Sequence, residues 1–188
     1  MRFGVRQEMK NPSVTEFQSA AEEFCDLAAS DSPLTKSDLW SFRALLLRLI
    51  FHIPAVESRQ HSSDFDGNPI GDEEFRRAAK RFSELPFNFY RVVFDPHDFD
   101  AEDEPVTGML ADDLADIYRD LAQGLDNAKR GHLDDACFDW AQSYGFHWAK
   151  HAVNALAALE IYRTNNHERV EQAETRNPYQ PPCFHDLP

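Results

Sequence analysis

The strongest constraint on the fold is a run of helical periodicity from Leu110 to Tyr162, interrupted only at Arg130-Gly131-His132. In its first half Leu110, Leu114, Ile117, Leu121 and Leu125 recur at helical spacing and share one face. In its second half Leu133, Cys137, Trp140, Tyr144, Trp148, Ala152, Ala155, Leu159 and Tyr162 share a broad face. A short turn between two such faces makes the helices antiparallel neighbours. The chain is therefore expected to be all-α, with a long helical hairpin over 108–163 in a bundle of about five helices.

The other helices follow from their own signals. Ser13-Val14-Thr15-Glu16 is a capping-box pattern. It opens a helix to about Ala29, with Val14, Phe17, Ala21, Phe24 and Leu27 on one side. Thr35-Lys36-Ser37-Asp38 starts a second, with Leu39, Phe42, Leu46, Leu49 and Ile50 inward. It is the most apolar segment, so it is expected at the centre of the bundle, ending at Pro54. Asp72 is expected to cap a third helix to about Ser83, and Thr107 a fourth.

Phe87 to Phe94 is aromatic and β-branched. A strand there has no evident partner and would leave backbone groups unpaired. A short helix or an extended packing segment is expected instead. Beyond Tyr162 the helix is expected to continue for a while. Pro178, Pro181, Pro182 and Pro188 then impose an extended arm, on its own domain or on a neighbour. Residues 13–164 are read as one helical domain and 165–188 as a C-terminal extension.

The net charge of -14 disfavours general binding to DNA or RNA, whose phosphates it repels. It suits a basic protein partner or a metal ion. The cysteines Cys25, Cys137 and Cys183 are far apart and odd in number, which argues against a disulfide framework. The opening MRFGVRQEMK lacks the apolar run of a signal peptide. No apolar stretch approaches about 18 residues, so no membrane span and a cytoplasmic location are expected. Asp64-Phe65-Asp66-Gly67-Asn68 fails as a calcium loop, because Pro69 and Phe75 stand where glycine and glutamate are required. The P-loop, GxGxxG and GxSxG patterns are absent from the sequence.

One zone carries candidate chemistry. Asp113, Asp116 and Asp120 form a stripe beside the leucine face. His147 and His151 are one helical turn apart, a spacing that lets two imidazoles reach one metal ion. With the turn centred near Gly131, regular helices set His147 opposite Ala115 and His151 opposite Ala111. Both are then within a turn of Asp112, Asp113 and Asp116. The candidate metal ligands are Asp113, Asp116, His147 and His151. Asp112, Tyr118, Asp120 and Trp148 complete the polar cluster. A carboxylate–imidazole set suits zinc, manganese or iron. The same convergence suits a structural network in which each aspartate orients a histidine. Trp148 replaces the glutamate of HExxH, so the zincin motif is missing.

Two segments carry a family resemblance: Leu110 to Leu121 (LADDLADIYRDL) and His147 to Leu156 (HWAKHAVNAL). With Val93-Phe94-Asp95-Pro96 they resemble a bacterial family, domain of unknown function 5063. The resemblance implies an all-helical fold and brings no assigned activity. Its signature overlaps Asp112, Asp113, Asp116, Asp120, His147, Trp148 and His151. Ala149 stands where the family pattern has glycine, which implies altered helix packing there. Three functions are carried forward. The first is an interaction or regulatory module for a basic protein. The second is a metal-binding protein or metal-dependent hydrolase. The third is a scaffold that forms a homodimer through its C-terminal arm.

Overall fold

A computed structural model describes residues 11–60, 69–93, 97 and 105–175, with side chains through 165. The elements in chain order are α1 (Val14–Ala29), α2 (Lys36–Glu57), α3 (Asp72–Phe82), β1 (Phe89–Val92), β2 (Val106–Met109), α4 (Leu110–Lys129) and α5 (Leu133–Ser143). A π-helical segment, π1 (Tyr144–Trp148), then leads into α6 (Ala149–Thr175).

The helical faces meet in one core. Phe17, Phe24, Leu39, Phe42, Leu46, Leu49, Leu114, Ile117 and Trp140 are fully buried. Phe42 is the hinge of an aromatic chain across three helices. It sits edge-on to Phe24 at 5.2 Å and to Phe82 at 5.3 Å. Phe17 packs on Trp140 at 5.0 Å and on Trp148 at 6.5 Å, which joins α1 to the far arm of the hairpin. Such ring pairs add about 0.5–1.5 kcal/mol beyond their buried area.

Helix α1 begins as its sequence indicates, with the Ser13 hydroxyl accepting the Glu16 N–H. The Ser13 N–H turns instead to α2 and donates to His52 Nδ1 at 3.1 Å. Helix α2 does not stop at Pro54. The residue lies inside the helix, which runs on to Glu57. Proline costs that turn a hydrogen bond, and burial of Ile53 and Val56 holds it. By length and composition α2 could cross a membrane, but Leu39, Phe42, Leu46 and Leu49 are fully buried within the bundle.

Three local expectations are corrected. Gly71, not Asp72, is the N-cap of α3, and Asp72 is its first residue. Phe89–Val92 is a strand after all. It pairs antiparallel with Val106–Met109, with Tyr90 opposite Gly108 and Arg91 opposite Thr107. Its partner is the segment expected to cap α4, and the pairing satisfies the strand's backbone groups. Thr107 therefore caps nothing; the N-cap of α4 is Met109. Asn88 supplies the missing acceptors. Its carbonyl takes the Leu110 N–H at 2.7 Å and its side-chain oxygen takes the Ala111 N–H at 2.8 Å.

The α4–α5 hairpin turns at Gly131, whose φ of 90° suits glycine. Gly124 lets the helices approach. A Cβ there would lie 2.2 Å from Trp140 Nε1, which donates to the Leu121 carbonyl at 3.1 Å. The second arm is interrupted at π1, where the Ala149 N–H reaches back five residues to the Tyr144 carbonyl. Helix α6 then extends to Thr175. The calcium-like loop 64–68, most of the acidic loop 95–104 and the proline-rich arm 176–188 lie outside the described residues.

Candidate metal centre

Helix α4 presents the aspartates and the π1–α6 junction presents the histidines. His147 Nδ1 pairs with Asp120 Oδ2 at 2.7 Å. His151 Nδ1 pairs with Asp113 Oδ1 at 2.8 Å. The two imidazoles stand 5.0 Å apart, edge to face. His151 Nε2 lies 3.7 Å from Asp116 Oδ2. Asp116, His147 and His151 each offer one donor atom, and these atoms lie within 4.8 Å of one another. Ligands bound at about 2.1 Å to a tetrahedral ion stand about 3.4 Å apart, so closure by up to about 1.4 Å would bring these three donors to ligand spacing.

The expected residues therefore divide. Asp116, His147 and His151 converge. Asp113 and Asp120 each hold an imidazole by its Nδ1. Asp113 is nearly buried, at 5% exposure. Its second oxygen accepts the Tyr90 hydroxyl. Asp116 Oδ1 is tied at 2.5 Å to Arg119, whose guanidinium sits 4.7 Å over the Phe75 ring. Oδ2 of Asp116 is the oxygen that points to His151.

Two members of the expected polar cluster are elsewhere. Tyr118 donates at 2.5 Å to Glu74 of α3. Trp148 is fully buried against Phe17 and Tyr144, and its Nε1 is without a hydrogen-bond partner. The indole faces the core and meets Phe17 as Trp140 does, while His147 remains at the α4 interface. Asp112 is exposed beside the cluster.

Electrostatics follow from this crowding of carboxylates. The Asp113 hydrogen bond raises the pKa of His151, with burial opposing and the Asp113, Asp116 and Asp112 charges adding to the rise. Burial raises Asp120, with His147 pulling the other way. Partial burial first, then the Asp116 and Asp113 charges, raises Asp112. Burial and the bond to Asp113 raise Tyr90, so it stays a protonated donor.

Sequence reading missed Tyr90. It reaches Asp113 because its ring lies over Gly108 on the paired strand, where a Cβ would come within 2.6 Å of the ring. The signal was there in the aromatic strand and the lone glycine opposite it, but only pairing brings them together.

Fold and cluster together define a mostly helical domain with a small clasping hairpin and an Asp/His centre between its last helices. The chain matches the family described as Domain of unknown function (DUF5063) over residues 8–165, and it belongs to that family. A similar solved structure is protein BF1032 from Bacteroides fragilis, a structural genomics target. It is 17% identical, with a TM-score of 0.63, and the match covers 78% of this chain and 89% of that one. That likeness speaks to the fold alone. The curated proteins offer no match.

Proposed function

We propose that this domain binds a divalent transition-metal ion through Asp116 and the Nε2 atoms of His147 and His151. The observation that carries the reading is the second partner of each imidazole. With Asp120 and Asp113 on the two Nδ1 atoms, each ring has its Nε2 left to ligate, and that of His151 lies 3.7 Å from Asp116 Oδ2. Carboxylate–histidine–metal relays have this arrangement, and it fixes tautomer and ring orientation together. Asp113, expected as a ligand from the sequence, serves in this reading as the group that orients His151.

Two imidazoles and one carboxylate suit zinc, manganese or iron. Three protein ligands leave coordination positions for water, which a bound ion would acidify for hydrolysis. Asp112, with its raised proton affinity, is the adjacent carboxylate for accepting a proton. The test uses untagged protein. Metal analysis after purification should return close to one ion per chain. Calorimetry with Zn²⁺, Mn²⁺ and Fe²⁺ should show saturable binding, weakened at least about tenfold in His147→Gln and His151→Gln. Absence of metal and of any thermal shift, with both variants destabilised, would mean that the cluster is structural mortar.

A second reading, an interaction module for a basic protein, is supported by the net charge of -14. Such binding would weaken steeply with salt. A low-salt pull-down that recovers no partner would count against it. A cytoplasmic location is proposed on composition, from the charge and the dispersed cysteines.

A further inference from the structure

A groove of about 450 Å³ runs between β1 and α6, away from the donor atoms of the Asp/His centre. Phe87, Phe89, Tyr90, Ala157, Ile161 and Tyr162 form its apolar walls. Phe87 and Tyr162 stack at 4.5 Å on its floor. Phe89 is 68% exposed and Ile161 60%, so the described residues leave its lips uncovered. Arg91, Asn154 and Asn165 stand along it as hydrogen-bond donors.

We infer that this groove is the seat of the chain's own C-terminal segment, residues 176–188. Two independent facts select that occupant. The first is chemistry. The segment reads RNPYQPPCFHDLP, with Pro178 and Pro181 in a PxxP spacing and Tyr179, Phe184 and Leu187 as apolar anchors. Proline-rich chain favours polyproline II, which keeps its carbonyls unpaired and docks on aromatic-lined grooves. Aromatic walls with side-chain amides and a guanidinium at the edge answer both needs.

The second is reach. Thr175 ends α6 ten residues beyond Asn165, about 15 Å along the helix axis. The groove from Asn154 to Asn165 is about 17 Å long on the same measure. A returning segment must therefore cover about 32 Å, and thirteen extended residues span about 43 Å. The segment can fold back and fill the groove within one chain.

This docking does not depend on the metal reading. It does share a wall with the centre, since Tyr90 lines the groove and donates to Asp113.

Cys183 makes the placement testable in the full chain. Ala157 is exposed in the groove, so Ala157→Cys offers a thiol to Cys183. Cys25 and Cys137 are sluggish competitors, because burial raises both thiol pKa values, that of Cys137 to about 11. Under mild oxidation a disulfide should form within one chain, at least about tenfold faster than in denaturant, because docking raises the local thiol concentration. Cys183→Ser in the same background should abolish it. A covalent dimer would overturn the proposal in favour of an arm exchanged between copies. Failure to crosslink at both Ala157→Cys and a second anchor within reach of Cys183, Ile161→Cys, with both variants folded by circular dichroism, would overturn it too.

Discussion

His151 Nδ1 and Asp113 Oδ1 stand 2.8 Å apart, and the other oxygen of Asp113 accepts the Tyr90 hydroxyl. Three elements distant in sequence are thereby joined through one nearly buried carboxylate: the β-hairpin, α4 and α6. The carboxylate cannot swing without breaking one bond or the other, so it is held from two sides and fixes the His151 ring through Nδ1.

Tyr90→Phe removes the hydroxyl and leaves the ring in place over Gly108. The expected loss of stability is about 1.5–3 kcal/mol, the usual cost of a hydrogen bond to a charged group. If Asp113 orients His151 for a metal, the variant should also bind Zn²⁺ about tenfold more weakly, as loss of an outer partner generally does. Chemical denaturation and calorimetry on the same protein separate the two effects. A stability loss with unchanged affinity would reduce Tyr90 to a packing role.

The raised pKa of His151 has a consequence for stability in metal-free protein. Asp113, Asp116 and Asp112 face this imidazole, with the His147 ring at its edge. The folded state holds the His151 proton more tightly than the unfolded chain, whose histidines titrate near about 6.5. Its contribution is therefore fully present below about pH 6.5 and is lost as pH rises through the higher folded value. Urea midpoints measured in chelator should fall across that window, and His151→Gln should flatten the fall. A metal ion competes with the same proton, so affinity should rise with pH over the same window. A midpoint that climbs with pH in the wild type, by an amount lost in His151→Gln, would contradict the assignment.

The helices were legible because each repeats its signal over several turns. Phe17, Phe24, Leu46 and Leu114 lie where their spacing puts them, in the core. The β-hairpin was not legible. Its strands are four residues each; β1 alternates only between exposed and half-buried positions, and β2 is exposed at three of its four. Only pairing across the intervening acidic segment gives them meaning. The site was legible as a place but not in register. Regular helices would set His147 opposite Ala115 and His151 opposite Ala111. They meet Asp120 and Asp113 instead, so His147 is shifted five positions along α4 and His151 two. Part of the difference, about one position, lies in π1, which spends an additional residue within one turn. Hydrophobic spacing cannot reveal such a turn, because the core positions on either side, Trp140 and Trp148, are both satisfied.

That residue can be removed. Phe146 sits in π1 at 87% exposure and contributes almost nothing to the core. Deleting it would let the segment close as an ordinary α-turn, with α5 and α6 still anchored by Trp140 and Trp148. Thermal stability should be unchanged or higher, since a π-turn is a strained element kept mostly where function needs it. His147, however, would rotate away from Asp120, because it lies between the deletion and the anchored Trp148. Zn²⁺ affinity should then fall at least about tenfold, while Phe146→Ala, which keeps the π register, should bind normally. A deletion variant that is folded and binds as well as wild type would show that the π-turn does not serve the centre.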